Sequence, residues 1–180
     1  RHLQEYKRKV CLCIENGGKG IGFCNMNDTQ IADFVRQVKD VIDRYYLDGV
    51  NLWDEDSKYD KTGMAKMNTT SYPRLIKALR EILPGKILTL VDKGDATEYF
   101  HDVKKCGNIE VGHYIDYGMV TFRQQKNYKS STLIQKVVLK SIANIHVNLL
   151  PVWMKLATEA LFFLVILRIV IYKLILRQRL

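Results

Sequence analysis

The chain has 180 residues, 47% of them hydrophobic and 26% charged, enough apolar material for a packed core. Its net charge of +9 is uneven: residues 1–125 hold 19 basic and 18 acidic side chains, whereas residues 126–180 hold 9 and 1. A basic excess confined to one end excludes nucleic-acid binding by the nearly neutral first part, and four cysteines in a chain of this length do not make a disulfide framework.

Two units are therefore expected, a folded part over 1–125 and a basic, hydrophobic tail over 126–180. Lys9 to Ile14 is an apolar strand that runs into Glu15, Asn16 and the pair Gly17-Gly18. The glycines up to Gly22 fit neither phosphate-loop spacing and read as a flexible turn. Asn27 and Asp28 are good helix caps, and Ile31, Phe34, Val35, Val38, Val41, Ile42 and Tyr45 trace one helical stripe behind them.

A short strand then runs from Leu47 through Asp48-Gly49-Val50-Asn51-Leu52-Trp53-Asp54 to Glu55 and ends in acid. Side chains alternate along a strand, so Asn51, Trp53 and Glu55 share one face while Val50, Leu52 and Asp54 share the other.

That run resembles the signature of the family-18 glycoside hydrolases, the chitinases and endo-β-N-acetylglucosaminidases, and most closely its bacterial branch acting on N-linked glycans. Eight of the nine signature positions fit; at the ninth, Trp53 stands where the family carries an acid. The segment ending in Gly17-Gly18 looks like the strand before it in the same family. The resemblance implies an α/β fold, part of a (β/α)8 barrel with the motif on the fourth strand, and active residues at the carboxyl ends of the strands. It implies Glu55 as the general acid that protonates the glycosidic oxygen while the substrate's own acetamide attacks the anomeric carbon. The acid missing at Trp53 is the one that orients the acetamide. An indole has one N–H donor and no acceptor, so a glycan-binding domain without turnover stands beside the hydrolase as a second expectation, with the indole as a broad face for sugar rings.

The strand-helix alternation continues. Tyr72-Pro73 opens a second helix with Leu75, Ile76, Leu79, Ile82 and Leu83 on one side, and Pro84-Gly85 stops it. Lys86 to Asp92 is a buried-type strand ending in an acid, Ala96 to Cys106 forms a short helix closed by Gly107, and Tyr114 to Thr121 is another strand. Alternation of this kind argues for βαβ units and a parallel sheet. Counted on the resemblance, these are about strands 3 to 6, fewer than the roughly 250 residues of a whole barrel, and the absence of an initiator Met fits an internal piece of a longer protein.

Asn51, Trp53, Asp92 and Tyr117 are expected to bind substrate beside Glu55. Asp92 and Asp116 are expected to face one cleft, and Tyr117 takes the role of the tyrosine that the family's sixth strand brings to the acetamide oxygen, since the Met119 region ends in Phe122 without a hydroxyl. Asp54, Asp56 and Asp60 miss the spacing of a calcium loop and read as a solvated loop. The spacing of Cys11, Cys13, Cys24 and Cys106 and of the scattered histidines suits no zinc site, Cys11 and Cys13 reading as small buried hydrophobes. No metal or cofactor is expected; the expected partner is a glycan containing N-acetylglucosamine.

The tail allows three readings. Residues 157–176 have the length of a membrane helix but include Glu159, Arg168 and Lys173, and a central arginine costs about 2.5 to 3.5 kcal/mol on insertion. A packed remnant of the fold and a stretch foreign to it are the others. The start carries no signal-peptide pattern, and family resemblance implies a secreted, periplasmic or cell-surface protein.

Overall fold

A computed structural model describes residues 2–16, 18–54, 57–92, 96–119 and 169–170. Helix α1 (His2–Glu5) precedes strand β1 (Cys11–Glu15); α2 (Asp28–Tyr45) leads to β2 (Gly49–Trp53), and α3 (Ser71–Ile82) leads to β3 (Ile87–Val91). Two short 3-10 turns, Glu98–His101 and Val111–His113, come before β4 (Tyr117–Met119), and β5 (Ile169–Val170) is the last described strand. All strand pairs are parallel, in the spatial order β4-β3-β2-β1-β5. The α/β class and parallel sheet are as the alternation of elements implies.

Of the segment 157–176, the described residues are Ile169 and Val170, which are extended and lie level with Ile14 and Glu15 of β1. The rest of 126–180 lies outside the described residues. Among the described residues no helix is long and apolar enough to cross a membrane.

α2 begins where its sequence says it should. The Asn27 side chain accepts from the Gln30 N–H at 2.9 Å, and the Gln30 side chain accepts from the Asn27 N–H at 2.9 Å, a complete capping box. Asn27→Ala is expected to cost about 1 kcal/mol, seen as an earlier loss of helical circular dichroism on heating. α3 carries Pro73 in its first turn and is capped by Leu83, with Gly85 at φ +74° turning the chain into β3. Its Ser71 hydroxyl donates to the Phe23 carbonyl at 2.7 Å, so the start of α3 is fastened to the loop after β1.

The helix expected over Ala96 to Cys106 is instead a 3-10 turn followed by further turns. The Asp102 carboxylate accepts from the N–H groups of Lys104 and Lys105, at 3.1 and 3.3 Å, offering the backbone a bond that competes with the helix. Gly107 and Asn108, both at positive φ, then reverse the chain.

One face of the sheet carries the core. Leu12 and Ile14 of β1, Val50 and Leu52 of β2, and Leu88 and Leu90 of β3 are buried with Phe34, Val38 and Ile42 of α2 and Leu75, Ile76 and Leu79 of α3. These are the helical stripes read from the sequence. The strands are buried on their other face as well, at Cys13, Asn51, Thr89 and Val91, which explains their near-continuous apolar runs.

Two carboxylates pin the sheet at the amino ends of its strands. Asp48 accepts from the Val10 N–H at 2.9 Å and from Gln4 and Lys9, and Asp116 accepts from the Leu88 N–H at 2.8 Å and from Arg80 at 2.7 Å. Partial burial raises the Asp48 pKa, but the bonds from Val10, Gln4 and Lys9 outweigh it and hold the group below the ordinary aspartate value. The first acid of the motif is thus a fastening between β1 and β2.

Candidate functional site

Side-chain bonds establish which residues share the face away from the helices. The Asn51 amide donates to Cys13 Sγ at 3.4 Å, and the Thr89 hydroxyl donates to Asn51 Oδ1 at 2.8 Å. Cys13, Asn51 and Thr89 are also level in the strand register, with Tyr117 level with Thr89. They form one rung across the sheet, nearly solvent-free at Asn51 (1% exposed) and open at Tyr117 (51%). Asn51 spends its amide on its two neighbours in that rung.

Alternation places Trp53 two residues further along the same face, and the register pairs it with Glu15 at the end of β1. Both are half-buried, whereas Cys13 and Asn51 are buried, so the face opens toward solvent at the carboxyl ends of β1 and β2, while Val91 at the end of β3 stays buried. The Trp53 indole Nε1 is buried and finds no hydrogen-bond partner among the described residues. Glu55, which follows on this face in the sequence pattern, lies outside the described residues, as does Asp56.

Asp92 and Asp116 do not share a cleft. Asp116 stands before β4 and is level with the start of β3, while Asp92 follows the end of β3. Four residues of strand, about 13 Å at 3.3 Å each, separate their levels. Asp92 continues the face of Leu88 and Leu90, is 3% exposed, and accepts from the Thr97 hydroxyl at 2.5 Å.

Asp54 is not in a solvated loop. It is 6% exposed, on the helix side of the sheet, and its carboxyl group accepts from Asn16, Ser57 and Tyr59 and, at 3.7 Å, from the Cys24 thiol. Burial pushes its pKa up, against the opposing pull of the bonds from Ser57, Tyr59 and Cys24. Burial and the nearby Asp54 likewise push the Cys24 thiol up to about 12, and burial raises Cys11 and Cys106 to about 11, so these buried thiols stay protonated and behave as the small hydrophobes the sequence suggests.

The same cluster fastens the glycine loop after β1. Gly20 N–H donates to the Ser57 carbonyl at 2.8 Å, Asn25 bonds to Gly20 and Gly22, and a Cβ at Gly22 would overlap Ser57 and Tyr59. The turn read as flexible is therefore tied to the loop after β2, with Gly17 outside the described residues. Neither Asn16, Ser57, Tyr59 nor Glu15 belongs to the motif; for Glu15 the signal was its place two residues beyond Cys13 in a period-two strand. Among the described residues no group of His, Cys, Asp and Glu is arranged to hold a metal ion.

No protein-family model matches the chain. It is 37% identical over 119 residues to an endo-β-N-acetylglucosaminidase from Flavobacterium sp. (strain SK1022), an alignment covering 65% of this chain and 36% of that protein. It is 26% identical over 120 residues to endo-β-N-acetylglucosaminidase F1 from Elizabethkingia meningoseptica, covering 65% of this chain and 34% of that one. Solved structures resembling it include Bacteroides thetaiotamicron EndoBT-3987 in complex with Man9GlcNAc2Asn substrate, with a TM-score of 0.48, 21% identity, and coverage of 63% of this chain and 28% of that one. Another is the chitinase domain of the spore coat protein CotE from Clostridium difficile, with a TM-score of 0.42, 25% identity, and coverage of 60% and 32%. The chain spans about a third of the length of the curated relatives it matches. Over about 120 residues the chain is thus similar to part of two endo-β-N-acetylglucosaminidases, in agreement with the resemblance carried by Asp48 to Glu55.

Proposed function

We propose that the chain acts on glycans containing N-acetylglucosamine, its sheet forming about strands 3 to 6 of a (β/α)8 barrel and its substrate lying at the carboxyl ends of those strands. The observation that supports this reading is that the signature-like run falls on β2, inside a parallel sheet, in a chain 37% identical over 119 residues to an endo-β-N-acetylglucosaminidase. In the proposed reaction Glu55 donates its proton to the leaving glycosidic oxygen, and the substrate acetamide oxygen bonds to the anomeric carbon as that bond breaks. Trp53 offers its ring to the pyranose, Tyr117 its exposed hydroxyl, and Asn51 supports the site from the interior, while Asp92, bonded to Thr97, stands on the other face of the sheet. Action on glycans outside the cell accords with this reading.

The replacement of an acid by Trp53 favours a second reading, a domain that holds the glycan without cleaving it. Release of the chromophore from a chromogenic N,N'-diacetylchitobioside, and calorimetric binding of free N,N'-diacetylchitobiose, separate the two. Release that disappears in Glu55→Gln supports hydrolysis; binding with no release supports the holding domain. Neither binding nor release would sink both.

A further inference from the structure

Tyr72, in the first turn of α3, is 0% exposed, yet its hydroxyl finds no hydrogen-bond partner among the described residues. Such a group forfeits the bonds it makes to water in the unfolded chain. Its ring packs on Phe23 and Phe100, with centroids 5.0 and 5.3 Å away, but its hydroxyl does not end in hydrocarbon. Burial first, and then Asp54, Cys24, Tyr99 and Asp92 in turn, hold its pKa well above the ordinary tyrosine value, so it stays a donor among polar neighbours.

Those neighbours are unequally occupied. Asp54 already accepts from Asn16, Ser57, Tyr59 and Cys24, as many donors as a carboxylate has lone-pair sites. Asp92 accepts from Thr97. Around Cys24 the acceptors outnumber the protons: its sulfur lies 3.7 Å from Asp54, from the Ala96 carbonyl oxygen and from the Tyr99 hydroxyl, with one S–H to give. With that proton on Asp54, and the Tyr99 proton on the sulfur, the Ala96 and Tyr99 oxygens keep lone pairs. A donor in want of an acceptor thus stands near acceptors in want of donors, and one water serves both.

We propose that this spot is a site for one internal water, which accepts from the Tyr72 hydroxyl and donates to the Ala96 carbonyl and the Tyr99 hydroxyl. It lies on the helix side of the sheet, apart from the face proposed for glycan. The water joins the start of α3 to the turn after β3, where Cys24 and Asp54 fasten the loops after β1 and β2. A neutral molecule that both donates and accepts suits it; a cation would find the lone pairs of Asp54 already taken.

A crystal structure of the chain, at a resolution where single waters are ordered, tests the site. Density within hydrogen-bonding reach of Tyr72 Oη, the Ala96 oxygen and Tyr99 Oη supports it; no density there, a bound ion, or a direct bond from Tyr72 to a protein group overturns it. In urea, Tyr72→Phe is expected to raise the unfolding constant about five- to tenfold, because the water loses its donor. A bare hydroxyl predicts the reverse, since phenylalanine keeps the ring and sheds the desolvation cost, so equal or greater stability overturns the proposal. Tyr99→Phe removes a second partner of the same water, and the double variant is expected to lose less than the product of the two single effects; a simple product overturns the sharing. Should either variant fail to unfold cooperatively, the density in the natural chain decides.

Discussion

Gly49→Ala is expected to destabilise the chain by about 3 kcal/mol, read as a lower urea midpoint with an unchanged slope. Gly49 opens β2 and is paired with Ile87 of β3, and an added Cβ would overlap the Ile87 carbonyl oxygen and lie 2.7 Å from its carbonyl carbon. Overlap with a flexible side chain is relieved by a rotamer change, but backbone must move as a strand. Moving β3 away from β2 separates the two strands that carry Asn51 and Thr89, so the Thr89-to-Asn51 bond weakens with the pairing. Gly85→Ala serves as the control. Gly85 has φ +74° with nothing near its added Cβ, so alanine there meets backbone strain alone, about 1 to 2 kcal/mol. If both variants lose the same stability, close approach at Gly49 is not the reason for its glycine.

Asp54→Ala is expected to cost about 3 kcal/mol or more, because the Ser57 and Tyr59 hydroxyls would lose the acceptor they donate to, leaving Asn16 with its bond to Ser57 alone. The effect should spread, since the same residues hold the glycine loop at Gly20 and Gly22, and native-state hydrogen exchange is expected to quicken over residues 18–25 before it does in α2. Asp54→Asn separates charge from shape. A carboxyl group whose pKa is raised in the folded chain binds its proton more tightly there than in the unfolded chain. Its contribution is therefore complete below the ordinary aspartate value and is lost as pH rises through the raised pKa. The unfolding free energy of the natural chain relative to Asp54→Asn should accordingly grow as pH falls through that window and level off beneath it. Asp48 has the opposite sign: its lowered pKa gives stability above the ordinary aspartate value that disappears on acidification. A difference between the two chains that is flat with pH would show that Asp54 is not perturbed in the way its burial dictates.

The helices and their faces were legible because burial repeats with a helical period: the stripe from Ile31 to Ile42 is the buried stripe of α2, and the cap at Asn27 is where the side-chain chemistry predicts it. The apolar strands were legible for the same reason with period two. What periodicity does not carry is the identity of partners across the sheet. Glu15 and Trp53 are 38 positions apart in sequence, and only the register brings them level. Asp54 was misjudged because a run of acids normally stays in water; here four donors from Asn16, Cys24, Ser57 and Tyr59 make burial tolerable, and none of them lies close enough in a recognised spacing to announce itself. The turns after Ala96 escaped for a local reason, a single aspartate competing with a helix of ordinary composition.

The Cys13-Asn51-Thr89 rung bears on folding as well as on the site. Strands that are aliphatic on both faces can slide past each other by two residues and still present apolar side chains to apolar neighbours, leaving several alignments nearly equal in energy. A buried amide that must find a thiol on one side and a hydroxyl on the other rejects every such slip, since each would strand it among hydrocarbon. Asn51 acts as a vernier for the sheet, and whatever chemistry takes place at the strand ends inherits its alignment from that one polar contact below.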